Sequence, residues 1–182
     1  RDFSRASRTP RVRSMTKDAI KDVFKRIKVW KRGAERAPHK PLLLLYALGR
    51  CSRGEPREVS FREIDERLSA LFAEFGLSQK SQHAEVPFWR LQNDGLWEVS
   101  GDEQIHSWPR EKNPKRGQLL RVHATGGFPE PIYEALAQDK SLLSAIAQPL
   151  LVDHFPSSLH ERILEAVGVD LQSAGQTSSR TD

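Results

Sequence analysis

One cysteine and one methionine among 182 residues leave little room for thiol chemistry. Cys51 has no partner for an intrachain disulfide and cannot by itself build a thiolate metal site. It reads as small apolar filler near a helix end, in a chain expected to be cytoplasmic. No apolar run approaches the ~18 to 20 residues of a membrane span, and the first residues lack the apolar centre of a secretory signal. No membrane partner is expected. The signatures of catalysis are missing as well. None of the six histidines forms a four-residue metal pair enclosing a glutamate, and no glycine-flanked serine marks a nucleophile elbow. The single Gly-Gly pair, Gly126-Gly127, lacks the Lys-Ser/Thr of a phosphate loop and reads as a tight turn that lets Phe128 pack. His154 and His160 fall near helix ends and His106 on the surface. No cofactor, metal or catalytic centre is expected.

What the chain has is positive charge. Its 29 Lys and Arg against 24 Asp and Glu give a net charge of +5, the balance of many nucleic-acid-binding domains. Hydrophobic residues make up 37% of the chain, enough for one core of ordinary size. Residues 1–14 hold five arginines and two large apolar residues and read as a disordered arm or expression remnant. Residues 15–170 form the expected domain, and 171–182 a disordered tail.

Within the domain, Ile20, Val23, Phe24, Ile27 and Trp30 recur at helical spacing behind Thr16, a plausible N-cap. Pro38 to Pro41 fits a helix start, and Leu42 to Leu48 is apolar on nearly every side, which predicts a central buried helix. Arg53-Gly54-Glu55-Pro56 is a turn, and Val59-Ser60-Phe61 a short strand or lead-in. Ile64, Leu68, Leu71, Phe72 and Phe75 form the next helical stripe. Phe88 to Gln92 and Leu96 to Ser100, separated by Asn93-Asp94-Gly95, predict a β-hairpin. Helical stripes resume at Ile132 to Leu136, Leu142 to Leu151 and Leu159 to Val167. The expected fold is α+β and predominantly α, with about five or six helices on a small antiparallel hairpin or sheet.

Two segments stand out. Arg36-Ala37-Pro38-His39-Lys40-Pro41 runs into the buried helix, and Val86-Pro87-Phe88-Trp89-Arg90 leads toward Asn93-Asp94-Gly95. Each joins a basic, proline-marked entrance to a strongly apolar element. Such a junction places cations, an imidazole and rigid apolar surface where a phosphate backbone can be held, and the N-H groups that open a helix favour an anion.

These two segments, extended to Leu48 and Val99, together with Ala124-Thr125-Gly126-Gly127-Phe128-Pro129, resemble the sulfur-binding domain of McrA-like, HNH-containing type IV restriction endonucleases. The likeness runs in the same order over roughly residues 15 to 170. It implies a monomeric bacterial module, cytoplasmic and nucleoid-associated, that binds double-stranded DNA carrying a phosphorothioate link. Carried over by position, the sulfur pocket falls on His39, Lys40, Val86, Pro87 and Phe88. Val86 stands where the family often has tyrosine. The phosphate contacts fall on Arg36, Arg90, Lys115, Arg116 and Arg121, with the family's late arginine at Arg116 or, alternatively, Arg121. Base contacts fall on Gln79, Lys80, Gln82 and His83, in the polar loop Ser78 to His83. The nuclease would reside in another domain of a longer chain. Two other readings stay open on the residues alone: a basic nucleic-acid-binding domain without sulfur preference, and a protein-interaction domain with a solvated basic face.

Overall fold

A computed structural model of the chain describes residues 14–27, 31–32, 35–36, 38–75 and 83–171, with side chains left aside at 31–37. The arm, most of the tail and the loop residues 78–82 of the sequence reading lie outside them.

Thr16 opens α1 (Lys17–Lys25), its hydroxyl accepting from the Ala19 N-H at 3.1 Å. The helix is shorter than its apolar spacing predicts. The Arg26 N-H turns back to the carbonyls of Asp22 and Val23, so α1 stops before Ile27, which still packs on the core, and Trp30 lies outside the described residues. Next come two short strands, β1 (Lys31–Arg32) and β2 (Glu35–Arg36), paired antiparallel.

The central helix α2 (His39–Ser52) forms as expected, with Pro41 in its first turn where a missing N-H leaves no bond unmade. Leu42, Leu43, Leu44, Leu45 and Leu48 are fully buried, so every side of this helix touches protein. The closest approach is at Gly49. A Cβ there would lie 1.9 Å from the Val167 carbonyl oxygen. The backbone of α2 therefore rests directly on the end of α8 (His160–Val167), and Arg53 Nη1 donates to the same carbonyl at 2.8 Å.

β3 (Val59–Ser60) leads into α3 (Phe61–Phe75), whose stripe is buried as predicted. The hairpin of the sequence reading is not formed. Residues 85–90 make a short helix, α4 (Glu85–Arg90), continued by a 3-10 turn at Leu91–Asp94. Pro87 explains the difference: in a strand it would remove a ladder bond, whereas in a helix's first turn its absent N-H is not needed. Gly95 does take the positive φ expected of it, +73°, but it closes the 3-10 turn instead of a hairpin. The second half of the expected hairpin survives as β4 (Glu98–Ser100). After α5 (Arg116–Arg121), the supposed Gly-Gly turn proves to be β5 (Thr125–Gly127), the middle strand of an antiparallel sheet ordered β3-β5-β4. Its glycines serve closeness. A Cβ on Gly126 would sit 2.4 Å from Trp97 Nε1, and one on Gly127 would sit 2.2 Å from the Arg57 carbonyl oxygen.

α6 (Glu130–Gln138), α7 (Lys140–His154) and α8 complete the fold. Asp139 caps α7 by accepting from the Leu142 N-H and pairs with Lys17 at 2.6 Å. Hydrogen bonding from Lys17 and then Leu142 holds its carboxyl below the usual range. Eight α-helices are present among the described residues, against the five or six expected; α4 and α5, of six residues each, are the additions. The class, α+β and predominantly α, is as read. No helix among the described residues is long and apolar enough to cross a membrane.

Cys51 is buried near the end of α2, and burial pushes its thiol up to about 12, with the Arg50 charge opposing only in part. Native protein is expected to leave a thiol-specific reagent unconsumed near pH 8, and denatured protein to react at once. The raised value also fixes a pH dependence. The unfolded thiol ionises near its ordinary ~8.5 while the folded one stays protonated to about 12, so this contribution is complete below the first value and is lost between the two as pH rises. Prompt labelling of native protein would show the site to be open.

Candidate nucleic-acid interface

α2 begins with the two residues the sequence singles out. His39 is half-buried, its ring lying against Phe72 of α3 with centroids 4.8 Å apart. Lys40 is turned toward the 3-10 turn after α4, its Nζ 2.6 Å from Asp94 Oδ2. The Asp94 side chain is 2% exposed and that of Lys40 17%, so this ion pair is largely out of water.

The other wall is α4. Val86 projects outward, 37% exposed, whereas Pro87 is buried behind it. Phe88, assigned by position to the same pocket, faces the other way: it is fully buried and packs edge-on against Phe61 and Trp97, with centroids 5.0 and 6.2 Å away. The helical turn sends adjacent residues to different sides, where the expected strand would also have alternated them. Phe88 therefore braces α4 from within the core.

At the far end of α4, Arg90 Nε donates to Asn113 Oδ1 at 2.7 Å, and Trp89 Nε1 donates to the Arg110 carbonyl at 3.2 Å. Together they pin the polar loop before α5 to α4. Lys115 and Arg116, which follow that loop at the start of α5, are exposed. Arg116 is aimed by a carboxylate, since its Nε lies 2.5 Å from Oδ2 of the buried Asp65 on α3. Arg121, at the other end of α5, is exposed, and no described hydrogen bond or ion pair links it to α4. His83 is exposed too, its Nδ1 3.0 Å from Glu85 Oε1. Gln79, Lys80 and Gln82 lie outside the described residues, as does the Arg36 side chain.

Sequence reasoning missed the residues that aim the cations: Asp94 for Lys40, Asp65 for Arg116 and Asn113 for Arg90. Asp65 had a readable signal, because it stands three residues before Leu68 and seven before Phe72, on the apolar stripe of α3. A carboxylate in such a place calls for a buried partner. Asp94 was hidden inside a triplet read as turn chemistry.

Two cavities among the described residues lie elsewhere. One, of about 670 Å³, is lined by Tyr46 and by arginines and glutamates of α3 and α8. The other, of about 500 Å³, runs between α1 and α7 over Phe24, Ile146 and Leu150. Neither touches His39, Lys40 or Val86.

The family model described as ScoMcrA-like, DNA sulfur-binding domain, matches residues 17–172. No curated protein matches the sequence. Among solved structures, the sulfur binding domain of ScoMcrA complexed with phosphorothioated DNA is 24% identical with a TM-score of 0.70, over 82% of this chain and 94% of that one. A structure of the sulfur binding domain and SRA domain of ScoMcrA, also complexed with phosphorothioated DNA, is 25% identical with a TM-score of 0.71, over 86% of this chain and 48% of that one. The type IV phosphorothioation-dependent restriction endonuclease ScoMcrA itself is 23% identical with a TM-score of 0.67, and 87% of this chain matches only 30% of it.

Proposed function

Because the chain belongs to the ScoMcrA-like DNA sulfur-binding domain family, a family of binding modules, we propose that it binds double-stranded DNA carrying a phosphorothioate link and reads the sulfur atom between the start of α2 and the start of α4. What supports this reading is that α2, which opens with His39 and Lys40, packs on α4, where Val86 is exposed and Pro87 buried; Lys40 bonds Asp94 in the turn that continues α4, and Arg90 bonds Asn113 in the loop that leads to Lys115 and Arg116. Arg36, and Arg121 as the alternative late arginine, complete the phosphate-contacting set. Gln79, Lys80, Gln82 and His83 are the base-reading candidates, and they supply a short sequence preference around the modified link.

The chemistry follows from what sulfur changes. A phosphorothioate keeps its single negative charge, but sulfur is larger, more polarisable and a poorer hydrogen-bond acceptor than oxygen. Bringing it against Val86 and Pro87 forfeits little hydration. An ordinary phosphate oxygen in the same place loses hydrogen bonds to water without replacement, a penalty of ~1 to 3 kcal/mol. Cations at the rim hold the remaining phosphate oxygens regardless of the modification. Selectivity thus comes from rejected oxygen as much as from accepted sulfur.

On this reading the domain works as a monomer in a bacterial cytoplasm and directs a nuclease, of HNH type, carried elsewhere in a longer chain. The test is an anisotropy titration at fixed salt with two duplexes of one sequence, one carrying a single stereodefined phosphorothioate. Tighter binding of the modified duplex by about 5- to 150-fold is expected, the range that a penalty of ~1 to 3 kcal/mol corresponds to. Equal binding would leave a general nucleic-acid module, and binding of neither would remove the reading.

A further inference from the structure

An ion pair beside the proposed pocket joins Lys40 to a carboxylate that is almost completely buried, Asp94. We propose that Asp94 is a specificity-determining residue: by holding the charge of Lys40 it prevents the pocket from gripping unmodified phosphate. The inference rests on the sulfur-reading function proposed above and assigns that selectivity a second source.

An unopposed ammonium attracts any phosphate by its charge. Facing the pocket, it also hydrogen-bonds an oxygen there more strongly than sulfur, the poorer acceptor, so the gain is larger for unmodified than for modified DNA. A free lysine at the pocket would raise both affinities and blur the distinction that the apolar wall creates. Nζ of Lys40 lies 2.6 Å from Asp94 Oδ2, and its side chain is 17% exposed, which leaves the ammonium near the surface with its charge already matched. Asp94 ends a 3-10 turn closed by Gly95 in the left-handed region, and its side chain, 2% exposed, is enclosed by protein. The tethered ammonium can still donate a hydrogen bond, yet it adds little to the net attraction of the pocket for a bare phosphate.

Asp94→Asn tests this directly. The amide has the shape of the carboxylate and keeps an acceptor for Lys40, but it releases the charge. Binding of the unmodified duplex is expected to tighten by up to ~8-fold at 0.1 M salt, with its salt slope steepening by about 0.9, the signature of one added phosphate contact. The modified duplex should gain less, since its sulfur already occupies the wall, so selectivity falls severalfold. Adding Lys40→Met should abolish the gain. Parallel weakening of both duplexes, or an unchanged salt slope, would make Asp94 a purely structural residue and overturn the inference. Should Asp94→Asn fail to fold, Asp94→Ser decides instead: the inference requires a steeper salt slope for unmodified DNA, and an unchanged slope would refute it. The wild-type preference measured in the same series separates the two ideas. If the wild type shows no preference, the pocket reading fails; if the wild type prefers sulfur and Asp94→Asn is equally selective, only the role of Asp94 fails.

Discussion

Gly49→Ala is expected to lower the thermal midpoint by ~6 to 12 °C, although alanine is normally the better helix former. Off the packing contact the substitution would stabilise α2 by ~1 kcal/mol. Here a Cβ would lie 1.9 Å from the Val167 carbonyl oxygen and 2.9 Å from its carbon, and both are backbone atoms that cannot rotate away. α8 would have to separate from α2, breaking the bond from Arg53 Nη1 to Val167 and the bond from Ser52 Oγ to the Gly168 carbonyl. Overpacking of this kind typically costs ~1 to 3 kcal/mol, and a backbone clash belongs at the upper end or beyond it. For a chain of this length, ~3 kcal/mol corresponds to the stated shift in midpoint. Gly117→Ala is the control, because nothing lies within 4 Å of its added Cβ and it sits in α5. It should be neutral or slightly stabilising. Differential scanning fluorimetry on the pair is sufficient, and a Gly49→Ala midpoint at or above wild type would show that the two helices do not touch at this point.

Val86→Asp should weaken binding of the phosphorothioate duplex by about 100-fold or more while leaving the fold intact. Val86 is 37% exposed in the first turn of α4, where a carboxylate suits the helix dipole, so the stability change should stay within ~0.5 kcal/mol. In the complex, however, the new charge would face a phosphate anion, and a like-charge encounter at an interface costs several kcal/mol. Each ~1.4 kcal/mol is a factor of ten in affinity. Titration of the modified duplex, accompanied by a melting curve, reads both quantities. Undiminished affinity would move the sulfur site away from α4, whatever the fate of the rest of the interface.

How much of this was legible depends on length and burial. α2 could be read because seven apolar residues in succession, Leu42 to Leu48, exceed anything a half-exposed helix carries, and Thr16 could be read because its hydroxyl has one local use. α4 could not. Six residues are too few to establish a helical period, and Pro87 beside Phe88 and Trp89 resembles an apolar strand entrance as much as a first turn. The sheet was obscured for the same reason, since β3 and β5 span two and three residues and show no alternation. Gly126-Gly127 misled because glycine marks both turns and tight contacts, and only the positions of Trp97 and Arg57 distinguish them. At the candidate site, the cations themselves were visible in the sequence. Those that restrain them, Asp65, Asn113 and Asp94, act across 51, 23 and 54 residues of chain, and of the three only Asp65, set on the apolar stripe of α3, leaves a local trace.

The turn from Glu85 to Asp94 has an evolutionary consequence. Ala84, Pro87, Phe88, Trp89 and Leu91 are all buried, so within α4 only Glu85, Val86 and Arg90 reach solvent, with Val86 the most exposed, and beyond it Gln92, Asn93 and Asp94 do so. Drift in this stretch is confined to a very small alphabet of positions. Related domains that came to prefer other surroundings of the modified link would therefore be expected to diverge at 86 and 90 and in the loop before residue 84, while the inward residues remain nearly frozen.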